Sequence, residues 1–272
     1  FEGRILRRQR GNWQTVDPGI SFELLNWVHG TAANDVFFGG NEGVILHWDG
    51  SRWEKQETPT FLPVWGLWAN APDDVWAVGG DNNARTPPLV MRYDGSRWQL
   101  AAIPTLARPR VHAFFKVWGS AADDVWMVGQ NGAILHWDGS AFTEFGAGVS
   151  QDLIGIWGTG PDNVMTVGGR GTAEMARWDG SRWSKAPASA LPGLNGVWLR
   201  RPDVAHVVGI SGTVLRVDPA TFAVLDRVEP APTGLDLHAV FGDTSGEIFA
   251  FGANFVLPER GIVLHRGLSD DE

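Results

Sequence analysis

The 272-residue chain has no cysteine, one tyrosine (Tyr93) and only three lysines, Lys55, Lys116 and Lys185. Without cysteine there are no disulfides, thiolate nucleophiles, zinc ribbons or iron–sulfur ligands. A formal net charge of −9 leaves no overall basic footprint for a phosphate backbone, so nucleic acid is not an expected partner. Charge is nonetheless uneven at the ends, where Arg4, Arg7, Arg8 and Arg10 face Asp270, Asp271 and Glu272 across the length of the sequence. No apolar run approaches the ~18 residues that cross a bilayer. The chain opens at Phe1 without Met or an apolar leader, so a processed or trimmed N-terminus is expected, which by itself hides the compartment.

What is abundant is aromatic and glycine: 15 Trp, 14 Phe and 35 Gly, with 43% hydrophobic residues overall. These residues recur in one phrase. Its clearest copy runs Val117-Trp-Gly-Ser-Ala-Ala-Asp-Asp-Val-Trp-Met-Val-Gly129, followed by Ala133-Ile-Leu-His-Trp-Asp-Gly-Ser-Ala-Phe142. We place its opening aromatic at Trp27, Trp65, Trp118, Trp157, Trp198 and Phe241, a mean recurrence of about 43 residues. Four short apolar runs per unit, separated by Gly-rich turns at that period, predict the four-stranded blades of a β-propeller.

Within each unit the second run starts after Asp or Asn (Asp35, Asp74, Asp124, Asn163), whose side chain is expected to bond its own turn backbone. That run ends on a glycine, at Gly40, Gly79, Gly129, Gly168, Gly209 and Gly252, where a positive φ or a close neighbour is expected. The third and fourth runs meet at Asp-Gly, at Asp49, Asp94, Asp138 and Asp179, a strong hairpin signal. Aromatics at fixed register, including Trp76 and Trp126 on the second strand, are expected to fill the space between blades, each burying ~150–250 Å².

There are six pairs of first and second strands but seven runs like the third, because Arg4–Arg8 precedes the first unit and Ile262–His265 ends the last. The fold class expected is all-β: a single β-propeller domain over residues 1–272 with six blades of four antiparallel strands, the alternative being seven. Closure is expected from N-terminal strands at about residues 4–17 beside a C-terminal blade at about 237–266.

These residues resemble the Trp-Gly, Asp-Val-Trp, Trp-Asp-Gly propeller repeats of bacterial secreted and cell-envelope proteins, a group also described as BNR-like, and are similar to photosystem assembly-factor propellers. The resemblance spans about Arg4 to His265. Its motifs are specific for the fold and nearly silent on activity, since the fold hosts many functions. What the resemblance implies is a non-enzymatic protein-interaction or assembly module of an extracytoplasmic bacterial protein (periplasmic, outer-membrane-associated or secreted) whose N-terminal signal has been removed. The match to an Asp-box is imperfect, because Asp49-Gly50-Ser51-Arg52-Trp53 lacks a residue between Asp and Gly.

Catalytic readings find little support. Sialidase chemistry needs an activated tyrosine, and Tyr93 occupies the repeat slot of Trp48, Trp137 and Trp178, which marks it as a packing residue. The acidic doublets Asp73-Asp74 and Asp123-Asp124 recur at one blade position and read as turn caps rather than a paired-carboxylate site. His47, His136 and His265 share a slot with Arg92, Arg177 and Arg216, which calls for a cationic donor and not a metal ligand. No metal, calcium or other cofactor is expected.

Binding is expected where the repeat breaks. Insertions lie between the second and third strands of the second unit (Gly80 to Pro88), between the second and third units (Gln99 to Phe115), and between the second and third strands of the sixth unit (Ala253 to Arg260). Blade topology sends all three to one face, and loops on a rigid scaffold commonly carry function. The candidate binding residues are Asp81, Asn83, Arg85, Arg108, Arg110, His112, Asn254, Phe255, Glu259 and Arg260, a mixture suited to a protein partner, including a neighbouring subunit of a larger complex. Phe114 and Phe115 are expected either there or at the start of an inner strand. The alternative function is lectin-like carbohydrate binding at repeated Trp/Asp sites, which requires several equivalent indoles to stay exposed.

Overall fold

Each Asp-Gly pair closes a hairpin, and the hairpins assemble into sheets of one pattern. The computed structural model describes residues 4–22, 24–82, 86–243, 245–254 and 260–267. An N-terminal pair, β1 (Ile5–Gln9) and β2 (Asn12–Val16), precedes the first full sheet of β3 (Leu25–Ala32), β4 (Asp35–Gly40), β5 (Ile45–Trp48) and β6 (Trp53–Gln56). The second sheet comprises β7 (Val64–Ala71), β8 (Asp74–Gly79), β9 (Leu89–Tyr93) and β10 (Trp98–Leu100). The third comprises β11 (Phe114–Ala121), β12 (Asp124–Gly129), β13 (Ile134–Trp137) and β14 (Phe142–Phe145). The fourth holds β15 (Leu153–Gly160), β16 (Asn163–Gly168), β17 (Glu174–Trp178) and β18 (Trp183–Lys185). The fifth holds β19 (Leu194–Arg201), β20 (Val204–Gly209), β21 (Val214–Val217) and β22 (Val224–Arg227). The sixth has three strands among the described residues, β23 (Asp236–Gly242), β24 (Ile248–Asn254) and β25 (Arg260–Arg266).

The fold is therefore an all-β, six-bladed propeller, with neighbouring strands antiparallel and joined in sequence order. The seventh run like a third strand is β1, which pairs with β2 as a separate two-stranded sheet, Ile5 opposite Val16. Cα packing distinguishes two compact units, Phe1–Val125 with Asp138–Phe142, and Trp126–Trp137 with Thr143–Glu272. In the first, Ile5 of β1 packs with Val44, Leu46, Phe38 and Trp53 of the first sheet, while Phe37 and Ile45 on that sheet's other face pack with Val64, Leu67 and Trp98 of the second. In the second unit, Met165 and Val167 pack with Leu194, Val197, Val207 and Leu215, and Trp198 and Val208 pack with Leu237, Val240 and Ala250.

Three local devices build the repeat. Asp49 Oδ1 accepts the N–H groups of Ser51 (2.8 Å) and Arg52 (2.9 Å), and Gly50 supplies the positive φ of +91° that follows it. Asp94, Asp138 and Asp179 repeat the arrangement. The Arg52 N–H and the Ser51 hydroxyl hold the Asp49 carboxyl well below the ordinary carboxylate range, the Ser96 hydroxyl and turn N–H groups do the same for Asp94, and the Ser181 hydroxyl with the Arg182 and Ser181 N–H groups brings Asp179 down to about 2.

The glycine ending each second strand answers to crowding. A Cβ on Gly79 would sit 1.9 Å from the Pro63 carbonyl oxygen, and one on Gly168 2.0 Å from that of Asp152. The φ of Gly129 (−163°) and Gly209 (−166°) is ordinary extended backbone.

Asp35, Asp74 and Asn163, before the second strand, bond side chains across their turns (Thr31, Asn70 and Thr159) instead of the expected turn backbone, and each reaches the third strand as well. Asp35 Oδ1 meets His47 Nε2 at 2.7 Å, Asp74 Oδ1 accepts from Arg92 Nε at 2.7 Å, and Asn163 Oδ1 accepts from Arg177 Nε at 2.9 Å. Burial explains the difference: Asp35, Asp74 and Asn163 are buried, and a buried carboxylate or amide requires a strong partner. The same cationic slot stacks on the second-strand aromatic, with His47 4.1 Å from Phe37, His136 4.0 Å from Trp126, His265 4.6 Å from Phe249, and Arg92 5.1 Å above Trp76.

Candidate functional site

Strand register separates the aromatics that belong to the repeat from those that do not. Trp68 pairs opposite Trp76, Trp157 opposite Met165, Trp198 opposite His206 and Phe241 opposite Phe249. The corresponding residue of the first sheet is His29, opposite Phe37. Trp27 and Trp65 thus lie outside the slot where the sequence pattern puts them, and Trp118 lies within it one residue before Gly119, the seat of Trp68. The pattern fails because Trp65-Gly66 imitates the Trp-Gly pair while the repeat's own tryptophan is Trp68, three residues later.

The two displaced tryptophans gather around a lysine. Lys116, the third residue of β11, donates from Nζ to the Trp65 carbonyl (2.9 Å) and lies 4.0 Å from the centre of the Trp27 ring. Trp27 Nε1 donates to the Leu67 carbonyl (3.2 Å), and Trp65 Nε1 donates to the Gly80 carbonyl (2.9 Å). Burial pulls the Lys116 ammonium down from 10.5 to about 7. This amine accordingly changes charge near neutrality. Nearby, His29 Nδ1 accepts the Ala69 N–H (3.0 Å), and burial lowers that imidazole to about 4, so it is neutral at physiological pH.

From this cluster the hydrogen bonds run outward into the irregular connections. Gly80 N–H donates to Pro63 (3.1 Å), Gly80 forms a β-bridge with Ala113, and His112 Nδ1 meets the Thr86 carbonyl at 2.9 Å. A Cβ on Gly80, whose φ is +131°, would lie 2.1 Å from the His112 carbonyl oxygen. The first two insertions and the connection before β7 are thereby tied to one another. That connection carries Phe61, an aromatic 91% exposed to solvent and two residues before Pro63. Sequence reading passed over Phe61 because it sits in a Pro- and Thr-rich spacer with no aromatic counterpart in the other units.

Of the candidate binding residues, Asp81, Arg108, Arg110 and His112 lie on these tied segments, with Arg110 exposed and at a φ of +58°. Phe114 and Phe115 are buried at the start of β11, which settles their role as packing. Asn254 and Arg260 are exposed partners across the end of the β24–β25 hairpin. Asn83, Arg85, Phe255 and Glu259 lie outside the described residues, as do Asp270, Asp271 and Glu272.

Tyr93 donates its hydroxyl to the carbonyl of Gly95 in its own turn (3.0 Å), and burial first of all raises its pKa. A phenol so placed is not an activated nucleophile. Among the described residues no three His, Asp or Glu side chains converge as a metal site, and no helix is long and apolar enough to cross a membrane.

No family model matches the chain, and no curated protein sequence does. Among solved structures, the YCF48 protein bound to a D1 peptide superposes with a TM-score of 0.63 at 14% identity, over 85% of this chain and 75% of that one. YCF48 from Cyanidioschyzon merolae gives 0.61 at 14%, over 84% and 79%. The WD40 propeller domain of Doa1 gives 0.67 at 10% identity, over 90% and 82%. An extracellular domain of the one component system BT4673 from B. thetaiotaomicron matches at 0.62 and 14%, over 88% of this chain and 33% of that one. At these identities the likeness shows the β-propeller fold.

Proposed function

We propose that this protein is a non-enzymatic interaction or assembly module of an extracytoplasmic bacterial protein, and that it binds a protein partner through the tied connections around Phe61, Asp81, Arg108, Arg110 and His112. One observation carries the reading. A fully presented aromatic, Phe61, projects from a connection braced through Pro63, Gly80 and Ala113 onto rigid inner strands. An anchored aromatic flanked by arginine has the composition of a binding hot spot, and pre-bracing reduces the ordering cost of association. The YCF48 structure with its D1 peptide shows that a propeller of related shape takes a polypeptide ligand. The resemblance to envelope repeats and the extracellular neighbour support the compartment.

The lectin alternative has less behind it: Trp98 and Trp183 of the fourth strands are 4% and 9% exposed and Trp76 and Trp126 of the second strands 2% and 1%, which leaves Trp48, Trp137 and Trp178 of the third strands as the half-buried equivalent indoles.

The test compares wild type with Phe61→Asp and with Arg110→Glu in affinity capture from envelope and secreted fractions. A partner protein recovered by wild type and lost by both variants, at unchanged thermal midpoint, is the expected result. Equal recovery by all three proteins overturns the proposal.

A further inference from the structure

One tight turn recurs after the second strand of three blades, at Asn41-Glu42-Gly43, Gln130-Asn131-Gly132 and Ile210-Ser211-Gly212, and its central residue holds a φ of +57°, +55° and +54° in turn. The residue after each turn donates back to its first carbonyl, Val44 to Asn41 (3.0 Å), Ala133 to Gln130 (3.0 Å) and Thr213 to Ile210 (3.2 Å). Backbones so alike aim the central N–H the same way in each blade.

Two of these N–H groups are satisfied by the connection to the following blade. Asn131 N–H donates to Asp152 Oδ1 and Ser211 N–H to Asp236 Oδ1, both at 2.9 Å. Each Asp stands immediately before the leucine that pairs with the glycine of the next second strand, Leu153 opposite Gly168 and Leu237 opposite Gly252. In the second blade that pair is Val64 opposite Gly79, so the aspartate's place belongs to Pro63. Proline offers no side-chain acceptor, and the Glu42 N–H has no hydrogen-bond partner among the described residues.

The rest of that connection matches its counterpart between the fifth and sixth blades. Thr60 and Thr233 each accept, at Oγ1, the N–H two residues on (Leu62 at 3.0 Å, Leu235 at 3.1 Å). Their carbonyls crowd the turn glycines alike, since a Cβ on Gly43 or Gly212 would fall 2.1 or 1.9 Å away. Within this common frame Phe61, 91% exposed, stands where the other connection has Gly234, and Pro63 where it has Asp236. A presented ring and an unanswered N–H therefore meet at one braced connection.

The surrounding charge selects what can answer that N–H. Glu42 brings its own exposed carboxylate, Glu57 opens the connection, and no Lys, Arg or His lies between Glu57 and Pro63. An incoming carboxylate would meet like charge here, as Asp152 does not at Asn131 nor Asp236 at Ser211. A carboxamide avoids the conflict: its oxygen accepts the Glu42 N–H while its amino group donates to the Glu42 carboxylate.

We propose that Phe61 and the Glu42 N–H form one recognition site for an Asn or Gln of the partner protein flanked by an apolar residue, the carboxamide docking on Glu42 and the apolar neighbour covering the Phe61 ring. The inference rests on Phe61 belonging to the binding face and adds what that face reads. Arg108 and Arg110, on the neighbouring insertion, are left to the rest of the partner.

The probe is a phage-displayed library of random peptides, selected on the wild-type protein and re-tested on Phe61→Asp and Pro63→Asn. Pro63→Asn supplies from within the chain the carboxamide that the partner would bring, so the Glu42 amide should exchange its hydrogen rapidly in wild type and slowly in this variant. Enriched peptides should carry Asn or Gln beside an apolar residue, bind neither variant, and slow exchange at Glu42 of the wild type. In synthetic copies, Asp or Ala in place of the amide residue should weaken binding about three- to tenfold, as for one hydrogen bond left unmade. These peptide changes read the contact in the unaltered protein, independently of how the variants fold. Peptides that need Phe61 yet bind Pro63→Asn as well as wild type, or that tolerate Asp for the amide, overturn the proposal and leave the binding face standing. Peptides indifferent to Phe61, or no enriched peptide at all, overturn both.

Discussion

The indole of Trp68 rests on Gly119: a Cβ added to that glycine would lie 2.7 Å from Trp68 Cη2. Trp198 rests on Gly242 in the same way, at 2.3 Å. The recurring Trp-Gly pair thus has a mechanical meaning, since its glycine is the seat for the preceding blade's tryptophan. Gly242→Ala should therefore destabilise by about 1–3 kcal/mol through overpacking, read as a fall in thermal midpoint of several degrees. A neutral result would show that Trp198 can move aside at no cost.

Asp74 is buried and bonds both Arg92 and Asn70, while Arg92 lies over Trp76. Removing the carboxylate in Asp74→Ala leaves the guanidinium over an indole without its counter-charge. Since Arg92 is 40% exposed, water recovers part of that loss, and a destabilisation of about 1–3 kcal/mol is expected by chemical denaturation. Asp74→Asn, which keeps an acceptor, should lose less.

Lys116 gives stability a pH dependence of known sign. Its folded pKa of about 7 is below the ordinary 10.5, so between those values the unfolded chain holds more protons and stability rises with pH. The stability difference between wild type and Lys116→Met should grow in favour of wild type from pH 7 towards 10. A flat or inverted difference would contradict the buried placement. His29, lowered to about 4 by burial, adds a second rise between about 4 and 6.5, which His29→Gln should remove.

What was legible in the sequence was what neighbouring residues decide. Asp-Gly hairpins, the terminal glycines of second strands and the shared His/Arg slot follow from local turn chemistry and strand alternation. The contact between Lys116 and Trp27 brings together residues far apart in the chain, and nothing local announces it. Trp65 was misassigned because a dipeptide was matched without its cross-strand partner, whereas pairing with β8 identifies Trp68 as the repeat residue. Phe61 escaped notice because exposure depends on what packs over a residue, which no repeat pattern encodes.

Phe61 is also where the functional account is most directly tested. A photo-crosslinking amino acid placed at position 61, with a control at Ser96 in a stereotyped Asp-Gly turn, would be irradiated in the native secreted and envelope mixture. A single partner protein joined at position 61, absent at 96 and diminished by Arg110→Glu, is the predicted result. Crosslinks to nothing at 61, or the same products at both positions, would contradict a binding face built on these connections.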